Sequence, residues 1–198
     1  MAEKKTKVVD KWKTKSWYSI IAPEAFESRE IGQLVSSDEA NLINRIVKIG
    51  LGDMTGSFSQ QTAYTSLYFR VKEVKGKSAH TAFIGHELVP GYMRTLARRR
   101  RSIMNQVDDV VTRDGVPVRI KTICVSGVKV SEALRSDARR MISQTVQQLA
   151  KQLDFGTLVQ EMVFGKFSAK IFNTIKKIGP LKRVEVRKSE VKESFSQK

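Results

Sequence analysis

The chain has 198 residues, with 36 Lys or Arg against 20 Asp or Glu and a formal net charge of +16. That length buries roughly two-thirds or more of the unfolded surface, and so large an excess of one sign works against an isolated globular enzyme and points to a polyanionic partner. No apolar run approaches the roughly 20 residues of a spanning helix, so a nucleic acid is favoured over a membrane.

Cys124 is the single cysteine and lies in an apolar run, which excludes an intrachain disulfide and fits a small buried hydrophobe in a reducing cytosol. The opening Met1-Ala2-Glu3-Lys4-Lys5 is polar and does not read as a secretory signal. Residues 1–15 form a basic tail, with Lys4, Lys5, Lys7, Lys11, Lys13 and Lys15, expected to order only on a partner. Trp12 is balanced between base stacking and core. Trp17 and Tyr18 are expected in the core, at the start of a strand over 17–21 that Pro23 ends.

A second strand is expected over 41–51, from Leu42, Ile43, Ile46, Val47 and Ile49. The glycines at 50, 52 and 56 have the wrong spacing for a dinucleotide fingerprint, and the aromatic and β-branched run over 63–74 predicts a strand after them, not the helix that would hold a pyrophosphate. Gly76-Lys77-Ser78 reads as a turn into a strand over 79–84. Neither it nor Gly165-Lys166 is a P-loop, because Val71 and Gln160 stand where the earlier glycine belongs. His80 and His86 have too few partners for a metal site; His86 is assigned either to RNA contact or to the turn at Gly85.

Pro90 predicts the start of a short helix over 92–100, with Arg94 on it and Arg98, Arg99, Arg100 and Arg101 in its last turn. The helix dipole explains cations there but not four adjacent arginines; guanidinium forks suited to phosphate do. Asp114-Gly115 between β-branched runs predicts a hairpin with a two-residue turn. That register pairs Val111 with Val118, Val110 with Arg119, and Asp108 with Lys121. Asp108, Asp109 and Asp114 are therefore read as scaffold and not as a catalytic cluster. Beyond Gly127 the spacing of Leu134, Ala138, Met141, Ile142, Val146, Leu149 and Leu153 predicts a long helix capped by Ser131. Arg135, Arg139 and Arg140 lie off that stripe. Helices over 157–164 and 168–178 follow, Gly179-Pro180 stops the last, and 183–187 alternates like a returning strand.

The expected fold is α+β. An antiparallel sheet or partly closed barrel fills a β-rich part (16–128), helices fill 131–178, a last strand covers 183–189, and 191–198 is a polar tail; 16–190 reads as one RNA-binding domain. The basic residues fall in five places: Lys11, Lys13 and Lys15 with Trp12; Arg94 and Arg98 to Arg101; Arg119 and Lys121; Arg135, Arg139 and Arg140; and Lys176, Lys177, Lys182 and Arg183. A duplex-DNA reader concentrates charge on one recognition element. Distribution over many elements suits folded RNA held by its phosphates and shape. No nucleophile, base and orienting group share a neighbourhood, so the physical reading is a non-catalytic RNA-binding protein with no cofactor. The alternatives are a transient RNA-processing or translational regulatory factor, and, further off, an RNA-acting enzyme using Asp108, Asp109 or His86.

Four strings then carry a resemblance: Asp10 to Pro23 followed by Phe26; Phe83-Ile84-Gly85-His86-Glu87-Leu88; Thr112-Arg113-Asp114-Gly115 with Arg119; and Pro180 to Lys188. In this order they resemble the archaeal and eukaryotic small-subunit ribosomal protein family called S-one-e or S-three-a-e. Without the long C-terminal extension of eukaryotic members, the chain looks archaeal. The resemblance implies a cytoplasmic structural protein on the platform of the small ribosomal subunit, near the mRNA exit. Its implied contacts are the 3′ region of the ribosomal RNA, neighbouring ribosomal proteins and, at the exit, mRNA and initiation factors. It implies no catalytic residue.

Overall fold

A computed structural model describes residues 12–57 and 59–193. The strands are β1 (Ser16–Ile21), β2 (Glu30–Ser36), β3 (Ile46–Gly50), β4 (Thr65–Lys75), β5 (Ser78–Leu88), β6 (Ile103–Val111), β7 (Pro117–Ser126) and β8 (Leu181–Val191). The helices are α1 (Leu51–Thr55), α2 (Gln60–Ala63), α3 (Pro90–Leu96), α4 (Glu132–Gln152), α5 (Phe155–Val163) and α6 (Lys166–Ile175). The strands form one open, mixed sheet in the order β2-β1-β5-β8-β7-β6, with β4 also on β5 and β3 on β4. Every pairing is antiparallel except β1 with β5, where Ser19 to Ile21 run alongside Ser78 to His80. The α+β expectation holds, with the helices in the C-terminal part and β8 returning to the sheet. β8 enters between β5 and β7.

Period-two alternation separates the faces of this sheet. From β7 and β8, Val118, Ile120, Cys124, Val184 and Val186 turn to the main core, where Ala138, Ile142, Val146 and Ala150 of α4 and Phe167, Ile171 and Ile175 of α6 meet them. The predicted cap is present: Ser131 Oγ accepts from the Leu134 N–H at the start of α4. Cys124 is fully buried, and burial pushes its thiol up to about 12. On the opposite face Ile123 and Val125 are covered by Leu88 and by Tyr92 and Leu96 of α3. The β5–β8 contact is tight at Gly85, where a Cβ would lie 2.1 Å from the Ser189 carbonyl oxygen.

Several expectations are corrected. The segment 41–51 is a strand only from Ile46; Leu42 lies in a turn and fills a small core with Tyr18, Val71 and Ala79. Within the glycine segment 50–56, Leu51–Thr55 is helical, and α1 and α2 intervene before β4. These short helices, 5 and 4 residues, lie where the chain turns from β3 back into antiparallel β4. Tyr18 and Ile20 are buried as expected, but Trp17 is 61 % exposed, because adjacent strand residues face opposite ways.

The 113–115 hairpin also differs. Gly115 N–H donates to the Thr112 carbonyl, Thr112 N–H to that of Val116, and Val116 N–H to the Thr112 hydroxyl. Gly115 alone takes a left-handed φ, +76°, so the loop is a three-residue turn with a glycine bulge in place of the two-residue type I′ turn. The register moves by one residue: Val110 pairs with Val118, Asp109 with Arg119, Asp108 with Ile120 and Val107 with Lys121. Lys11, and most of the expected tail over 1–15, lies outside the described residues, as do 194–198; β8 extends to Val191, into the expected polar tail.

Candidate nucleic-acid interface

Helix α3 begins with Pro90 at its first position and ends at Leu96, because Ala97 is already extended. The arginine run therefore lies beyond the helix and not in its last turn. It forms the connection to β6, with Arg100 at φ +62° and the far end tied by Ser102 N–H to Ser126 Oγ (2.8 Å) and Ser126 N–H to the Ser102 carbonyl (3.0 Å). Arg98 Nε reaches back 3.3 Å to the Thr95 carbonyl, satisfying one open acceptor at the helix end. The run is thus anchored at both ends. α3 itself is fixed to the sheet by Tyr92, whose hydroxyl donates to Glu185 Oε1 of β8 at 2.6 Å. Burial first, and Glu185 second, push the Tyr92 phenol well above its usual range.

That attachment brings two distant parts of the sequence together. Arg98 and Arg101 share a cleft of about 220 Å³ with Lys182 and Arg183, over a floor of Leu96 and Val125. Arg183 is held in place by Glu185 Oε1, 2.5 Å from its Nε, and by the Tyr92 ring, 5.6 Å from its guanidinium carbon. A preorganised arginine loses less freedom per contact with phosphate than a free one.

The remaining predicted residues divide by partner. Arg119 makes a two-point contact to Asp109 (Nε 2.7 Å, Nη2 2.9 Å), and Lys192 joins at 2.8 Å. The Arg119 hydrogen bonds, with those of Lys192, hold the Asp109 carboxyl far below the usual carboxylate range. Lys121 pairs with Glu190 at 3.1 Å, and Arg135 and Arg139 both pair with Glu132 (2.8 and 3.4 Å). Each of these four cations has a carboxylate partner, although Asp109, Glu190 and Glu132 each serve two cations. Among the described residues no ion pair holds Lys13, Lys15, Arg94, Arg98, Arg99, Arg100, Arg101, Arg140, Lys176, Lys177 or Lys182, and all but the half-buried Arg101 are exposed. Lys15 Nζ lies 4.0 Å from the Trp12 ring, and Trp12 is 68 % exposed.

The three carboxylates of the hairpin point to separate surroundings. Asp108 is buried and accepts from Ser143 Oγ (2.6 Å) and Gln106 Nε2 (3.0 Å). Asp109 faces Arg119. Asp114 Oδ2 accepts from the Phe155 N–H (2.7 Å), tying the hairpin tip to the start of α5. His86 is not available to RNA: it is 1 % exposed, within a strand and not at a turn, with Nδ1 2.6 Å from Ser189 Oγ. Burial lowers its pKa to about 4. The sequence reading missed Tyr64 and Tyr92, whose rings stack at 4.7 Å and 11° beside Lys182 and Arg183. The signal was faint, since Tyr64 and Tyr92 are 28 residues apart in a chain with four tyrosines.

Comparison with known proteins identifies a family. The sequence profile described as the Ribosomal S3Ae family matches residues 3–194. "Small ribosomal subunit protein eS1" of Saccharolobus islandicus (strain L.S.2.15 / Lassen #1) is 40 % identical over 191 residues, covering 96 % of this chain and 91 % of that protein. The protein of the same name from Saccharolobus solfataricus is 39 % identical over the same length and coverage. That from Methanococcus maripaludis is 39 % identical over 182 residues, 92 % of this chain and 80 % of its own. With a profile match over nearly its whole length and relatives at this level of identity, the chain belongs to the ribosomal S3Ae family.

Proposed function

We propose that this protein is a structural, non-catalytic constituent of the small ribosomal subunit that binds ribosomal RNA and supports translation, with residues 16–190 acting as one RNA-binding domain. The observation that carries the RNA reading is the cleft where Arg98 and Arg101 meet Lys182 and Arg183. Around it stand exposed cations without a carboxylate partner among the described residues, on a backbone tied to the sheet at both ends. Such a surface meets phosphates from several directions without reorganising, which suits folded RNA. The name shared by the relatives supports the assignment to the small subunit. Within it we place the protein in the cytoplasm on the ribosomal platform near the mRNA exit. There it contacts the 3′ region of the RNA and neighbouring ribosomal proteins, within reach of mRNA and initiation factors. RNA contact is assigned to Lys11, Trp12, Lys13 and Lys15, to Arg94 and Arg98 to Arg101, to Arg140, and to Lys176, Lys177, Lys182 and Arg183. Arg119, Lys121, Arg135 and Arg139 contribute less, because each has a carboxylate partner and none lines the cleft, whereas Arg183, though paired with Glu185, does line it.

Sedimentation of gently prepared lysates tests this. The protein is expected with small subunits at low salt, near one copy per subunit, and stripped by high salt. Recovery only as a free monomer would refute the reading. A stoichiometry far below one would favour a transient processing or regulatory factor instead.

A further inference from the structure

A second cleft adjoins the arginine run, also about 220 Å³, lined by Tyr64, Tyr92, Phe172, Lys182, Arg183 and Glu185 among others. Its volume falls below the roughly 300–1,000 Å³ of sites that bury whole drug-sized ligands, so it suits a single planar group. Tyr64 is 39 % exposed, and its ring is held rigid by the stack on Tyr92. Lys182 and Arg183 line both clefts, so a phosphate on those two cations would leave its own base beside Tyr64. Glu185 Oε1 is occupied by Tyr92 and Arg183, whereas Oε2, like Asp108 Oδ2 elsewhere in the fold, is buried without a hydrogen-bond partner among the described residues. A buried carboxylate oxygen in that condition is costly and rare, and an amino group on a base edge is a donor that a small rotation of Glu185 would meet.

We propose that this cleft receives one unpaired, amino-bearing RNA base, stacked on Tyr64, with its backbone phosphate on Lys182 and Arg183 and its amino edge toward Glu185. This rests on the RNA-binding reading above and adds to it a site for a single extruded nucleotide. Every base has a face that can stack on an aromatic ring, and loops and bulges present such bases. The neighbouring arginine run would then grip the flanking backbone.

The test uses the full chain and two RNA hairpins, one with a single bulged 2-aminopurine and one fully paired. Binding of the bulged hairpin is expected to quench the 2-aminopurine emission. Tyr64→Phe retains the quench; Tyr64→Leu abolishes it and weakens binding of the bulged hairpin roughly 5- to 150-fold, the range for one base–aromatic stack. The affinity of Tyr64→Leu for the paired hairpin stays at the wild-type value, and an unchanged circular-dichroism spectrum and melt show that the variant is folded. Salt-sensitive binding of both hairpins without a quench, or equal weakening of both by Tyr64→Leu, would overturn the base site and leave the RNA-binding reading intact. Failure of the wild-type protein to bind either hairpin at low salt would overturn both.

Discussion

Replacing Arg98, Arg99, Arg100 and Arg101 together by Ala tests whether unpaired cations carry the RNA contact. Each phosphate contact adds about 0.7 to the log–log salt slope for single-stranded RNA and about 0.9 for a duplex. If all four arginines engage phosphate, the slope falls by about 2.8 to 3.6. Between 50 and 200 mM salt the wild-type affinity would then drop roughly 50- to 150-fold more than that of the variant. The control is Arg119→Ala, Arg135→Ala and Arg139→Ala combined, which removes nearly as much formal charge. Those guanidiniums share the carboxylates of Asp109 and Glu132, so each releases fewer counterions than an unpaired arginine, and the slope should fall by less per arginine than in the run variant. Exposed pairs of this kind add only about 0–1 kcal/mol each to stability, so the control protein stays folded. The assay is fluorescence-anisotropy titration of a small-subunit RNA fragment at four or more salt concentrations. An unchanged slope in the run variant, or an equal loss per arginine in the control, would refute the division into unpaired and paired cations.

Two further predictions concern the framework. Gly85→Ala places a Cβ 2.1 Å from a backbone oxygen of β8. No rotamer relieves that contact, so the cost lies at or above about 3 kcal/mol, the upper end for overpacking. That corresponds to a Tm lower by roughly 6–12 °C in a chain of this size, and a melt within 2 °C of wild type would sink the argument. His86, neutral in the fold with a pKa of about 4 against an unfolded 6.5, binds fewer protons folded than unfolded between those values. Its contribution is fully present above pH 6.5 and is lost as pH falls toward 4, up to about 3 kcal/mol in all. Urea unfolding from pH 7 to 4 should show a flatter profile for His86→Gln; parallel profiles would mean that the ring is not the titrating group.

The long amphipathic helix was legible because its signal is repeated: the apolar stripe over 134–153 persists for several turns and Ser131 caps it. The hairpin register was not, because Asp-Gly signals a turn without fixing its length. Here the Thr112 hydroxyl and the left-handed Gly115 select the longer loop, and a one-residue slip reassigns every cross-strand partner. That slip also explains why Arg119 looked available: expected opposite Val110, it stands opposite Asp109. Trp17 could have been placed by alternation alone, since Tyr18 and Trp17 cannot both face inward. The arginine run was visible in the sequence, but its cleft was not: Arg98 and Lys182 meet through long-range contacts of α3 with the sheet, among them Tyr92 with Glu185 and Leu96 with Val125.

The place of β8 in the sheet also sets a timetable. Its 11 residues separate β5 from β7, yet they are the last strand along the chain among those described. Until synthesis passes residue 191, the β1–β5 part and the β6–β7 hairpin have no strand between them and present open edges, a condition that invites aberrant pairing. The same segment delivers Lys182 and Arg183. Nascent fragments therefore lack two of the four basic residues of the cleft, which Lys182 and Arg183 line with Arg98 and Arg101, and that cleft is completed in one step with the sealing of the sheet.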